Sequence, residues 1–167
     1  MKINFKSIFG IKEAATKISP EIQEQLKYDE GVDFYYTNLI NAIILFSLTS
    51  SELDKLAGPA FDPLFELESE IDAAFTPVCF ETVFRNNAID DSLKPELLAF
   101  KQATDDIPDN IWDWDCIESD PTWKIIRQKA NELLDKLGIQ DRTYNEDYIT
   151  VYDGEGNILK KGKRVYR

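Results

Sequence analysis

Residues 121–137 read PTWKIIRQKANELLDKL and carry the clearest helical pattern in the sequence. Trp123, Ile126, Ala130, Leu133, Leu134 and Leu137 recur at the 3.6-residue period of a helix with one apolar face. The other face carries Lys124, Arg127, Gln128, Asn131 and Asp135. Asp120 before Pro121 suits an N-cap followed by the first helical position, where a missing N–H costs nothing. Gly138 supplies the stop.

The same punctuation recurs upstream. Ser19-Pro20, Asp62-Pro63 and Thr76-Pro77 each set a capping residue before a proline, and Pro95 opens a further helix. Pro59 and Pro108 fall in connections. From Asp62 to Phe75, Leu64, Leu67, Ile71, Ala74 and Phe75 share a face, which leaves Glu66, Glu70 and Asp72 to point elsewhere. Val32 to Leu48 is apolar around most of its circumference and reads as the central, buried helix. Ser51 with Asp54 resembles a capping box for a short helix ending at Gly58.

After Gly138 the pattern changes. Tyr148-Ile149-Thr150-Val151-Tyr152 is aromatic and β-branched, Asp153 to Asn157 is a turn, and Ile158 to Lys161 follows. This predicts a β-hairpin, which should lie on the helical body because two strands alone are marginal. The expected fold is mainly α (α+β): a multi-helix bundle of about six or seven helices with a C-terminal β-hairpin. One domain is expected over residues 1–167, with a helical body to about 138 and the hairpin and basic tail at about 145–167.

Composition bounds the chemistry. The 167 residues include 43% hydrophobic and 12% aromatic side chains, too apolar for intrinsic disorder. There is no histidine. Histidine-dependent triads, H-E-x-x-H zinc sites and E-x-x-H di-iron bundles are therefore excluded. Cys79 and Cys116 lie far apart, which leaves no zinc spacing. No cofactor is expected.

Residues 1–10 have no secretory h-region, and Lys2 replaces the glycine that myristoylation needs. Ile3, Phe5, Ile8 and Phe9 among Lys2, Lys6, Lys12 and Lys17 read as a core helix in preference to a membrane-surface one. Cytoplasmic residence without membrane attachment is expected.

With 31 acids against 19 bases, the net charge is -12, which disfavours nucleic acid and favours a basic protein partner. Residues 105–120, DDIPDNIWDWDCIESD, carry seven acids and no base. The expected partner-binding residues are Asp109, Trp112, Asp113, Trp114, Asp115, Glu118 and Asp120, because carboxylates around indoles suit Lys- and Arg-rich surfaces. Because residues 112 and 114 diverge by about 200° on a helix, at least one indole should reach the surface. The opposing expectation is that the basic tail (Lys160, Lys161, Lys163, Arg164, Arg167) folds against these acids. In small size and acidity the chain is similar to inhibitors and immunity proteins that neutralise basic nuclease toxins, a likeness of composition alone.

An enzymatic alternative rests on two carboxylate pairs. Glu21-x-x-Glu24 and Glu132-x-x-Asp135 each place two acids on one helix face. They resemble the E-x-x-E and E-x-x-D pairs with which all-helical nucleotide pyrophosphatases of the MazG family hold magnesium. The resemblance covers these four positions and implies a small magnesium-dependent nucleotide hydrolase. The turn 153–157 alternates acidic and amide residues like a calcium loop. However, Ile158 and Arg164 stand where an EF-hand needs glycine and glutamate, so it reads as a hairpin turn.

Overall fold

A computed structural model describes residues 18–166. The amphipathic stretch from Ile3 to Lys17, and Arg167, lie outside the described residues. The molecule is mainly helical. Eight α-helices occur among the described residues: α1 (Pro20–Glu30), α2 (Val32–Ser47), α3 (Ser50–Asp54), α4 (Pro63–Ala74), α5 (Pro77–Arg85), α6 (Lys94–Asp105), α7 (Trp114–Ser119) and α8 (Pro121–Lys136). The two strands are β1 (Val151–Tyr152) and β2 (Ile158–Lys160), paired antiparallel. The count exceeds six or seven because α7, six residues long, is held as a separate short helix by its own Asp113 cap.

The proline punctuation works at three of four positions. Ser19, Asp62 and Asp120 accept from the backbone N–H of Ile22, Leu64 and Thr122. Thr76 does not cap, because its hydroxyl donates back to the Ala73 carbonyl at 2.9 Å. At α3 the capping box sits two residues earlier than expected: Thr49 accepts from the Glu52 N–H, and Glu52 accepts from the Thr49 N–H at 2.8 Å. Helix α8 ends as anticipated. Gly138 takes φ +75°, and Ile139 N–H donates to the Leu134 carbonyl at 2.9 Å.

Helix α2 is the axis of the bundle. It packs against α8, α4 and α5, and Leu39, Ile40, Ile43 and Leu45 are fully buried. Its buried polar side chains find partners. Asn41 donates to the Asn145 carbonyl at 3.0 Å and accepts from the Asn145 N–H at 3.1 Å. Thr37 accepts from the Val165 N–H at 2.9 Å, and Ser47 donates to the Ile44 carbonyl at 2.7 Å. The segment after α8 is thus strapped along α2 by side chains that periodicity alone reads as filler.

Two expectations need correction. Glu70 does not point to solvent. It is buried at 8% exposure, because it lies between Leu67 and Ala74 on the stripe 67, 70, 71, 74 that α4 turns inward. The hairpin does not lie on the helices. Every residue of β1 and β2 is exposed, and only its root is anchored. There Tyr148, expected in the strand, is buried and stacks on Phe34 at 5.5 Å between ring centres. Gly162 completes the root, since any Cβ there would collide with the Tyr148 carbonyl.

Candidate functional sites at the two ends of helix α2

The acidic, tryptophan-bearing segment wraps the C-terminal end of α2. Its backbone is neither one helix nor a strand. A 3-10 turn over Asp109–Ile111 breaks at Trp112 and Asp113 before α7 begins. Both indoles are therefore free to lean inward, and both are half-buried against the core. Trp112 meets Trp123 edge-on at 4.9 Å, and the Trp123 indole donates to the Ile111 carbonyl at 2.8 Å.

The acids divide by task. Asp113 caps α7, accepting from the Cys116 N–H at 2.9 Å, and this bond holds its carboxyl below the usual range. Asp120 caps α8. Glu118 accepts from the Ser50 hydroxyl at 3.0 Å and its N–H at 3.2 Å, and the hydroxyl bond first lowers its pKa. Glu118 thereby joins α3 to α7, with Arg127 3.9 Å away. Arg127 itself donates to the carbonyls of Leu48 at 2.9 Å and Ile117 at 2.7 Å. Asp109 and Asp115 are exposed, and neither carboxylate is bonded to another described side chain. Trp114, Asp115 and Glu118 line a shallow groove that Ser50, Ser51 and Asp54 complete from α3. Asp54 was not among the anticipated residues. Only its approach across the α3–α7 contact brings it in.

The basic tail goes elsewhere. Lys160 pairs with Asp147, Lys163 reaches Asp147 at 3.2 Å, and both bonds hold the Asp147 carboxyl low. Arg164 sits over the Phe34 ring at 5.2 Å. None of the ion pairs among the described residues joins this tail to residues 105–120.

The four carboxylates of the hydrolase alternative are not brought together. Glu21 and Glu24 lie on α1 and line a cleft with α5, whereas Glu132 lines a different cleft between α6 and α8. Asp135 is bound to Arg142 at 2.5 Å. No group of three acids or thiols among the described residues is placed to hold a metal ion. In the 153–157 turn the Asp153 carboxylate is engaged internally, accepting from the Glu155 and Asn157 N–H groups.

At the other end of α2 lies a cleft that sequence reasoning missed, about 700 Å³ in volume. Tyr144 donates to Glu70 Oε1 at its wall, while Glu70 Oε2 is buried without a hydrogen-bond partner. Burial raises the Glu70 pKa to about 7, partly opposed by the Tyr144 bond and reinforced by Glu66. Burial, with the bond to Glu70 second, pushes the Tyr144 hydroxyl far above its ordinary value; burial lifts Tyr148 to about 12.

No family model, curated protein or solved structure matches this chain, so the likeness to the pyrophosphatases rests on its four positions alone.

Proposed function

We propose that the chain is a non-enzymatic protein that binds a basic protein partner, in the manner of an inhibitor or immunity protein, at the groove between α3 and α7. The observation that supports this reading is the fate of the basic tail. Lys160 and Lys163 serve Asp147 and leave Asp109 and Asp115 facing solvent, the latter in the groove with half-buried Trp114. Such a surface offers charge for steering and an indole for the centre of an interface. The same reading sets the protein in the cytoplasm, where Cys79 and Cys116, both unpaired, stay reduced.

Capture from native cells, with Trp114→Ala and Asp115→Ala run in parallel, tests it. The expected result is a basic partner that binds the parent chain, is lost from both variants and weakens with added salt. A partner retained equally by both folded variants, or one that is acidic, would overturn the reading.

A further inference from the structure

The cleft beside Glu70 has an uncommon composition. Three carboxylates line it, Glu66, Glu70 and Glu146, together with the rings of Phe34, Phe61, Tyr144 and Tyr148, and no Lys or Arg is among its lining residues. Arg164 lines the adjoining cleft instead. An acidic, aromatic pocket selects for positive charge, since carboxylates attract it and ring faces accept it. The protein's own Arg164 over Phe34 shows that the latter contact suits this part of the fold.

The unpaired atom narrows the choice. A buried carboxylate oxygen without a donor is costly, and a ligand that supplies one removes the cost. Glu70 is 8% exposed, its Oε1 is taken by Tyr144, and its Oε2 is unpaired. A guanidinium binds carboxylates best through two parallel N–H bonds to two oxygens, and one of these is already occupied. An ammonium is a compact donor that needs one oxygen at a time, and its three N–H groups can be shared with Glu66, one helical turn away. The acids of the cleft do not converge as metal ligands do.

We propose that this cleft binds a primary alkylammonium group, with Glu70 and Glu66 as its charge partners and the surrounding aromatic rings as its walls. The group can be carried by a free amine or by a lysine side chain. The site stands apart from the α3–α7 groove, at the opposite end of α2, and does not rest on the partner-binding reading.

Calorimetric titration of the full chain with n-butylammonium chloride at pH 8 tests it. Saturable binding is expected, at least tenfold weaker in Glu70→Gln, several-fold weaker in Glu66→Gln, and weaker for n-butylguanidinium in the parent chain. Glu70→Gln keeps an acceptor for Tyr144, and circular dichroism verifies its fold; Glu66→Gln, at a half-buried position, carries the test if it fails. Affinity should fall between pH 8 and pH 6 as Glu70 takes up its proton. The ionisable groups around it are Glu66 on its own helix, Cys79 on α5, and Tyr144, Glu146 and Tyr148 on the strap, with Arg164 acting on Tyr148. Spermidine and Nα-acetyl-lysine methylamide distinguish the sources. Tighter binding of the first assigns a free amine, and of the second a lysine residue. No saturable binding of n-butylammonium, binding undiminished in both variants, or affinity unchanged between pH 6 and pH 8 would overturn the proposal.

Discussion

The two ends of α2 use the same functional group in opposite ways. At the Leu48 end, carboxylates stand outside and accept hydrogen bonds from helix termini, so Asp113 and Glu118 are easier to ionise. At the Asn38 end, about 15 Å away along the axis, Glu70 stands inside and is harder to ionise. Burial, more than acidity, decides what a carboxylate does for this fold. A carboxyl with a lowered pKa contributes stability that is present above its unfolded value and lost as pH falls. A carboxyl with a raised pKa does the reverse. It carries no penalty below about 4.5, and the penalty grows as pH rises through about 7. The protein should therefore be weakened from its capped end in acid and from its buried end at neutral pH.

The strongest perturbation acts at the buried end. Glu70→Gln removes the ionisable group and keeps the acceptor for Tyr144. At pH 8 it should raise stability by up to about 3 kcal/mol, the worth of the pKa difference. The gain should shrink to less than about 1 kcal/mol at pH 5 and vanish below about pH 4, as measured by urea denaturation across that range. A parent chain whose stability relative to this variant stays flat from pH 5 to pH 8 would show that Glu70 is not penalised.

Arg127→Ala attacks the other end. The Leu48 and Ile117 carbonyls would lose their donor, and a loss of about 2 kcal/mol is expected. Arg127→Lys should restore little, because one ammonium cannot reproduce the two-armed geometry. Asp120→Ala removes a single helix cap and should cost about 1 kcal/mol, read as a shift in denaturation midpoint without a change in slope. Asp115→Asn sits at the bottom of the scale. Stability should change by less than about 0.5 kcal/mol, while partner capture falls. If it destabilises as much as Asp120→Ala, Asp115 is a structural acid like its neighbours.

Much of the helical frame was legible because it obeys local rules. Prolines after capping residues, Gly138 as a stop and the 3.6 period in α8 need only neighbours to work. The misreadings arose where distant chain segments decide. Glu70 looked like a solvent residue because carboxylates usually are, although its spacing from Leu67 and Ala74 already placed it on the inward stripe. Trp112 and Trp114 flank the break at Asp113, a bend that neither the helical nor the strand period describes, and both are half-buried against the core. Arg127 and Asn131 were set on the outer face of α8, yet they reach the carbonyls of Leu48 and Ser47, 79 and 84 residues upstream. No periodicity records such a partner.

The strap along α2 also bears on the order in which the chain can fold as it is synthesised. Asn41 waits for Asn145 and Thr37 for Val165, separations of 104 and 128 residues. While the ribosome is still making α3 to α8, the central helix can collect its apolar neighbours but not the partners of its polar stripe. Nascent chains should therefore pass through a loosely packed helical intermediate with a polar seam open to water, and should lock only when the strap emerges. A helix at the middle of the bundle is made early and finished last.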